Sequence, residues 1–314
     1  MRRFVIVVLI SLAASLNAAA RGIPVILSTD VGNEIDDQWA VMYLLDNPQF
    51  DVLGMVSSHA PTLPDPSAHY TYRVLVDEVE NHMSLESHPP LFEGSSLPLA
   101  DTHSPRGNAG VDFIISASRA FSKDHRLDVL TIGAATDVAS AILEDPGIAD
   151  RIRVVAMGFT RWPDGGDEFN VANDPRAWQA ILDSRVPVVI GSGDVCRAYL
   201  ALTPDQAKRL VADHGPLGAW LWEEYEDWYY RNVKPLRQDD FSKPWIIWDI
   251  ITAAYVEGLA TGESKPRPRL GDNMVFGHPA TGENITWITS VDSKRLWVDF
   301  VDRLDDFTRS HAVR

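Results

Sequence analysis

The sequence has very little cysteine and a clear shortage of positive charge. Cys196 is the only cysteine in 314 residues, so an intrachain disulfide is excluded. Lysine and arginine number 28 against 44 aspartates and glutamates, which gives a formal net charge of -16. Such a surface repels phosphate groups and argues against a nucleic acid polymer as a partner. It suits a neutral or cationic small ligand, or a metal ion that brings its own positive charge.

Long apolar runs are also scarce, and the one at the N-terminus has the pattern of a targeting segment. Arg2 and Arg3 precede the apolar residues 4–12, and residues 18–20 supply an A-x-A cleavage site. The run is too short for a comfortable membrane span. The pattern predicts a signal peptide over residues 1–20 and a single domain over residues 21–314. We therefore expect a bacterial periplasmic or secreted protein with no membrane attachment after the signal is removed.

The remainder of the chain alternates between strand-like and helix-like segments as far as Gly191. This alternation predicts an α/β fold with a mostly parallel central sheet flanked by helices, followed by extra C-terminal helices and strands. Predicted strands begin at Pro24 and then occupy residues 51–57, 90–94, 128–132, 152–157, 186–190, 273–276, 285–288 and 295–301. Predicted helices follow Ile35, occupy residues 67–80, 111–121, 217–231 and 245–258, and begin at the caps Thr136, Asp174 and Thr203.

The first predicted strand runs into an acidic turn that contains Asp30, Asp36 and Asp37. The carboxyl ends of parallel strands form the crevice where α/β proteins bind ligands. Three carboxylates gathered there repel one another, and a hard divalent cation with oxygen ligands compensates them. Helix capping is the alternative, because acids in a first turn favour the positive end of the helix dipole. Capping explains Asp36 or Asp37 but does not require Asp30.

Three later loops carry residues of the same chemical kind. The turn around Gly133 has small residues that would let main-chain carbonyls face a ligand, although a tight strand-to-helix turn is the better explanation when this turn is taken alone. Glu168 and Asn170 offer a carboxylate and an amide, which suit vicinal sugar hydroxyls because each hydroxyl donates and accepts; an exposed polar loop is the alternative. Asp249 lies in an apolar stretch and must be paired or bind a metal, unless it is a partly exposed first-turn residue.

In their order and spacing, these motifs resemble the inosine/uridine-preferring nucleoside hydrolase family. The family has D-x-D-x-G-x-D-D after a strand, then E-F-N, then an aspartate that starts a helix. The resemblance implies a nucleoside hydrolase-like, Rossmann-like fold and a calcium-dependent hydrolase that cleaves the N-glycosidic bond of a nucleoside or related ribosyl compound. It implies a Ca²⁺ ion held by Asp30, Asp37, the main-chain oxygen of Ile132, and Asp249. It further implies that Asp30 is the general base for a metal-bound water, and that Asp36, Glu168 and Asn170 contact ribose hydroxyls.

The chain also departs from the family pattern. Ser28 stands in place of the first aspartate, and Asn33 with Glu34 forms a two-residue insertion. Trp248 stands where purine-active members often carry a histidine that protonates the leaving base, so we expect Trp248 to contact the substrate by stacking. His59 and His103 are loop candidates for an acid, although a lone loop histidine is usually just solvated.

These departures favour a divergent, exported member and keep a second hypothesis open. The chain could be a non-catalytic, calcium-dependent protein that binds a sugar or nucleoside. A phosphatase with an aspartate nucleophile ranks lower, since residues 28–31 do not supply the D-x-D and threonine that this chemistry uses. The sequence leaves the preferred base and the formation of a homo-oligomer undecided.

Overall fold

The computed structural model describes residues 22–233, 243–279 and 282–311, so the predicted signal peptide lies outside the described residues. The strands are β1 (Ile23–Thr29), β2 (Phe50–Ser57), β3 (Leu91–Glu93), β4 (Leu127–Thr131), β5 (Ile152–Met157), β6 (Val188–Gly191), β7 (Ala201–Leu202), β8 (Trp245–Ile246), β9 (Ala260–Pro266) and β10 (Asn284–Val291). The α-helices are α1 (Asp36–Asp46), α2 (Ser67–Asp77), α3 (Ala109–Ser118), α4 (Thr136–Glu144), α5 (Phe169–Asn173), α6 (Pro175–Asp183), α7 (Gly193–Tyr199), α8 (Pro204–Val211), α9 (Gly215–Trp228), α10 (Ile250–Val256) and α11 (Ser293–His311).

Eight strands form one sheet in the order β3-β2-β1-β4-β5-β6-β10-β9. Neighbouring strands are parallel throughout, except that β9 runs antiparallel to β10 at the edge. Strands β7 and β8 form a separate antiparallel pair. The predicted α/β fold with a mostly parallel central sheet is therefore confirmed.

Both faces of the sheet are covered by helices, which explains why its strands are apolar on successive positions. Val25 and Leu27 of β1 face one core, which also contains apolar residues of α1, α9, α10 and α11. Ile26 faces the opposite core with apolar residues of α3, α4 and α6. Successive strand residues point to opposite faces. A run of buried apolar residues therefore fills both layers.

The strand order changes direction at β1, and this decides where a ligand binds. From β1 the chain moves outward to β2 and β3, then returns to β4 on the other side of β1 and continues through β5 and β6. In open α/β sheets the ligand crevice lies at the carboxyl ends of the strands at such a switch point. Asp30 follows β1 and Ile132 follows β4, so both lie at this crevice.

Several predicted elements in the C-terminal part are wrong. Residues 295–301 are predicted as a strand but belong to α11, because the alternation of Leu296 and Phe300 with polar residues continues as a helical spacing through Leu304 and Phe307, all buried. Residues 273–276 make only isolated bridges. The helix predicted over residues 245–258 is strand β8 followed by α10, since the backbone at Trp245 and Ile246 pairs with β7.

Two further predictions concern the starts and edges of elements. Thr136 is the first residue of α4 rather than its cap, and its hydroxyl donates to Asp174 Oδ2 at 2.6 Å. Asp174 and Thr203 do cap their helices, the latter in a capping box with Gln206. Strand β9 is missed by the sequence pattern, because its edge position leaves most of its side chains exposed and polar.

No helix within the described ranges is long and apolar enough to cross a bilayer.

Candidate active site

Four carboxylates from two distant parts of the chain meet at the carboxyl end of β1. Asp30 comes directly after β1, Asp36 and Asp37 form the first turn of α1, and Asp249 lies at the N-terminus of α10. Each is at most 3% exposed. We call these four residues the acidic floor. They line a cavity of about 330 Å³, a size typical of small-molecule sites.

The close approach of β1 and β4 at this point requires a glycine. A Cβ built on Gly133 would lie 2.7 Å from the backbone nitrogen of Asp30 and 2.8 Å from its Oδ1. A side chain there would push Asp30 away from its position. The small-residue turn after β4 therefore packs the acidic floor against the sheet, and it brings Ile132 into the cavity wall.

The neighbours of each acid show which oxygens are already engaged. Asp37 Oδ1 accepts from Thr29 Oγ1 at 2.5 Å, and Asp36 Oδ2 accepts from the Trp248 backbone N–H at 3.1 Å. Asp30 Oδ2 is buried without a described hydrogen-bond partner. Asp249 occupies the cap position of α10, but its side chain makes no capping hydrogen bond. The Asp249 carboxyl instead shares a hydrogen bond with Asp36. Asp30 Oδ2 is therefore the oxygen of this cluster that is open to another group.

Burial and mutual repulsion raise the pKa values of the acidic floor. Burial, followed by the negative charges of Asp37 and Asp36, raises the pKa of Asp30 well above its ordinary value. Burial and the same kind of repulsion also raise the pKa values of Asp37 and Asp249. Burial also raises the pKa of Asp36, but only to about 6, because hydrogen bonds to its carboxylate offset part of the effect of desolvation. The cluster needs positive charge to remain ionised at neutral pH.

These residues fit a divalent cation. Asp36, Asp37 and Asp249 each offer an oxygen, and these oxygens lie within 4.8 Å of one another. The unpartnered Oδ2 of Asp30 is a further candidate ligand at the same floor. An all-oxygen set of carboxylates suits a hard ion such as Ca²⁺ or Mg²⁺ and is unlike the His/Cys sets that hold zinc. The sequence resemblance assigned Asp36 to the sugar, and the structure adds this residue to the candidate metal ligands.

Glu168 and Asn170 form the next wall of the cavity. Glu168 caps α5, and its carboxylate accepts from the backbone N–H groups of Asn170 and Val171. Burial raises the pKa of Glu168 to about 7. Asn170 Nδ2 donates to the carbonyl oxygen of Ile132 at 2.9 Å. The amide therefore contacts the same main-chain oxygen that the resemblance assigns to the metal, and a carbonyl has a second lone pair for that purpose.

The structure brings all eight residues singled out from the sequence to one cavity: Asp30, Asp36, Asp37, Ile132, Glu168, Asn170, Trp248 and Asp249. The roles assigned to them remain proposals. The two histidines suggested as acids do not line it. His59 is buried with Nε2 3.0 Å from Thr136 Oγ1, and burial lowers its pKa. His103 is exposed in the loop after Asp101.

Sequence reasoning missed Arg197 and did not assign Glu34 to the cavity. Both line it. Glu34 belongs to the insertion after Gly32, and burial together with the charges of the neighbouring acids raises its pKa well above the ordinary value. Arg197 lies one turn into α7, and its guanidinium carbon is 5.0 Å from the ring centre of Trp248. Arg197 could have been found from its place in the chain, because α7 follows β6 at the same edge of the sheet as the acidic floor.

Comparisons with known proteins agree with the fold and indicate a family. The model of the family described as inosine-uridine preferring nucleoside hydrolase matches residues 25–298. The pyrimidine-specific ribonucleoside hydrolase RihA of Escherichia coli O1:K1 is 25% identical over 319 residues, which cover 92% of this chain and 99% of that protein. A plant nucleoside hydrolase structure superimposes with a TM-score of 0.69 at 17% identity, over 90% of this chain and 98% of the other. A purine-preferring ribonucleoside hydrolase from Gardnerella vaginalis gives 0.68 at 20% identity, over 91% and 99%.

Proposed function

The chain belongs to the inosine-uridine preferring nucleoside hydrolase family, and from this premise we propose that it is a calcium-dependent hydrolase with Asp30 as its general base. Family membership makes it an N-ribohydrolase, an enzyme that hydrolyses the N-glycosidic bond of nucleosides. The observation that carries the proposal is the convergence of the acidic floor from residues separated by about 200 positions. Burial of such a cluster has a large free-energy cost unless a bound cation and ligand offset its negative charge.

The proposed cation is Ca²⁺, held by Asp30, Asp37 and Asp249 with the carbonyl oxygen of Ile132. Asp36 is a further candidate ligand, because one of its oxygens lies within 4.8 Å of oxygens of Asp37 and Asp249. When bound, such an ion supplies Lewis acidity that favours deprotonation of water and an electrostatic anchor for a vicinal diol. Flexible coordination by carboxylate and carbonyl oxygens favours calcium over the stricter geometry of magnesium.

The residues of the chain itself account for the remaining chemistry. Cleavage of an N-glycosidic bond passes through an oxocarbenium-like state that is positive on the sugar. The acidic floor stabilises that charge, since its carboxylates are fixed in a water-poor cavity before the reaction begins. Glu168 and Asn170 hold the ribose hydroxyls, and Asp30 accepts a proton from the attacking water. Orientation of the ribose by these side chains lowers the entropic part of the barrier.

Replacement of the proposed base tests the mechanism. Asp30→Asn keeps the shape of the side chain but removes the proton acceptor, and we expect kcat for nucleoside hydrolysis to fall by about 10²-fold or more. Reducing sugar is assayed with inosine, uridine, cytidine and adenosine in the presence of calcium. The matched control is Asp150→Asn, which replaces an exposed aspartate just before the start of β5, whereas the cavity lies at the other end of that strand.

The alternative of a non-catalytic binding protein is tested in the same experiment. Among the described residues that line the cavity there is no histidine, which is the observation that favours this alternative. Calorimetry on the wild type measures nucleoside binding alongside turnover. Binding with no sugar release from any nucleoside would support the alternative and contradict the proposed enzyme.

We also infer that the protein is exported and that residues 1–20 are removed. The support is the sequence pattern of two arginines, an apolar run and the A-x-A site. Expression of the full chain in a bacterium with an outer membrane, followed by N-terminal sequencing of the periplasmic protein, tests this. A mature N-terminus near Arg21 is expected, whereas an uncleaved cytoplasmic product would contradict it.

A further inference from the structure

We propose that Arg197, stacked on Trp248 at the mouth of the cavity, binds the departing base and stabilises the negative charge that the base carries as it leaves. The inference rests on the proposed function. Arg197 is the only arginine or lysine among the described residues that line the cavity. Arg197 would therefore be the residue that stabilises the leaving group of the proposed hydrolysis.

The direction of the substrate in the cavity follows from burial. The acidic floor is at most 3% exposed, whereas Arg197 is exposed. A ribose whose diol contacts the floor must direct its base towards the mouth, because the base and the diol lie on different sides of the sugar ring. Trp248 and Arg197 are therefore among the residues of the mouth that the base approaches. Indole and guanidinium planes both stack on heterocyclic bases.

The electrostatics of the cavity favour a cation at the mouth. Acids that stabilise a positive sugar also repel a negative leaving group, and Glu34 and Asp167 add further carboxylates to the lining. A guanidinium is a permanent cation with several N–H donors, so it can offset this repulsion and donate to nitrogen or oxygen of the base. It does so without giving up a proton.

The described contacts of Arg197 leave its N–H groups available. Its guanidinium carbon lies 5.0 Å from the centre of the Trp248 ring, a cation–π distance. Trp248 is itself held, since its backbone N–H donates to Asp36 and its carbonyl accepts from Cys196 Sγ. Nη1 also approaches Gly193, where an added Cβ would lie 3.1 Å from it. Within the described part of the chain no ion pair with Arg197 is formed.

Hydrolysis takes place in one displacement followed by two proton exchanges with solvent. The oxygen of water bonds to the anomeric carbon, and its proton passes to Asp30. The C–N bond breaks with its electron pair moving to the nitrogen of the base, which leaves as an anion against Arg197. The base then takes a proton from solvent, and Asp30 returns its proton to solvent. The products are free ribose and the neutral base.

The first experiment compares substrates that differ in the stability of their leaving anion. Uridine releases a basic anion, whereas 4-nitrophenyl β-D-ribofuranoside releases nitrophenolate, which is stable without assistance. Arg197→Gln is expected to lower kcat for uridine by about tenfold to a hundredfold, the range for one charge-assisted hydrogen bond. It should change kcat for the nitrophenyl riboside by less than about twofold. Arg197→Lys, which keeps the charge but loses the planar fork, should lie between.

Arg209→Gln is the matched control, because Arg209 is an exposed arginine on α8 outside the cavity lining. It should leave both substrates unaffected, and thermal unfolding checks that every variant is folded. Equal losses on both substrates in Arg197→Gln would overturn the inference, since they would indicate a role in ribose binding or structure. An unchanged rate on uridine would also overturn it.

A second measurement needs no turnover and separates this inference from the proposed function. Barbiturate has the ring shape of uracil but is an anion at neutral pH, and quenching of tryptophan fluorescence reports its binding. The wild type should bind barbiturate more tightly than uracil, and Arg197→Gln should lose that preference. Retention of the preference in the variant would refute the anion-binding role of Arg197. Absence of sugar release in the wild type, with the preference present, would instead contradict only the proposed hydrolysis.

Discussion

Asp137 is a buried carboxyl outside the acidic floor, and it shows how a single residue couples stability to pH. Its Oδ1 accepts from Asn108 Nδ2 at 2.6 Å and from the Ser95 backbone N–H at 3.0 Å. Burial raises the pKa of Asp137 to about 7, although these hydrogen bonds lower it in part. In the unfolded chain the pKa returns to about 4. Between about pH 4 and about pH 7, the folded protein therefore keeps a proton on Asp137 that the unfolded chain has lost.

The sign of the effect follows from this difference. A raised pKa contributes stability that is complete below pH 4 and is lost as the pH rises towards 7. Asp137→Asn keeps the acceptor oxygen without the charge, so its unfolding free energy should fall less between pH 5 and pH 8. The expected difference from wild type is more than about 1 kcal/mol, measured by urea unfolding at constant calcium. Asp150→Asn serves as the exposed control, and an identical pH dependence in Asp137→Asn would contradict the prediction.

Helix α11 is the element that anchors α1, which carries Asp36 and Asp37. Phe300 is fully buried and stacks on Tyr43 with ring centres 5.7 Å apart and on Trp39 with ring centres 5.2 Å apart. Leu296 and Leu304, one turn away on either side, are also fully buried. The C-terminal helix thus fixes the orientation of the helix whose first turn forms half of the acidic floor.

Truncation of this contact should destabilise the fold strongly. Phe300→Ala removes a buried ring and leaves a cavity between α1 and α11, so we expect the free energy of unfolding to fall by about 3–5 kcal/mol. Val298→Ala on the same helix is the matched control, because Val298 is 57% exposed and should change stability by less than about 0.5 kcal/mol. Urea unfolding measures both. Similar losses in the two variants would show that α11 packs differently.

At the scale of the whole molecule, the acidic floor brings together carboxyls from the N-terminal and C-terminal parts of the chain. These carboxyls repel one another, and a bound cation would relieve the repulsion. Asp249 follows strand β8, more than 200 residues after Asp30, and burial raises the pKa values of both carboxyls. Without positive charge the folded state must keep these carboxyls protonated or bear their mutual repulsion. Binding of Ca²⁺ to the folded state alone would therefore stabilise the whole protein.

Calcium should accordingly raise the thermal midpoint, and a chelator should lower it. At a concentration 100-fold above its dissociation constant, a ligand adds about 2.7 kcal/mol, which corresponds to roughly 4 °C for a chain of this size. Asp249→Asn should abolish the response to calcium. Without calcium, this variant should be at least as stable as the wild type, since one repelling carboxyl is gone. Scanning calorimetry measures both, and a full calcium response in Asp249→Asn would exclude Asp249 as a ligand.

The sequence by itself determined the order of most elements and several residues of the acidic cavity. Buried parallel strands are continuous apolar runs, and the loops at their carboxyl ends must face one edge of the sheet. That geometry is local and repeated, so the order of strands and loops along the chain is enough to group Asp30, Ile132 and Glu168 at one edge. Family resemblance extended the same set to Asp249.

Only the tertiary structure decided the features that depend on distant neighbours. Residues 295–301 alternate like a strand, yet burial against α1 makes them helical, and β9 forms because the edge of β10 offers free backbone groups. Arg197 joined the site for the same reason: its aromatic partner, Trp248, lies 51 positions away in the chain. Periodicity encodes which face of an element is buried, whereas the identity of the surface that covers it is set by packing across the whole fold.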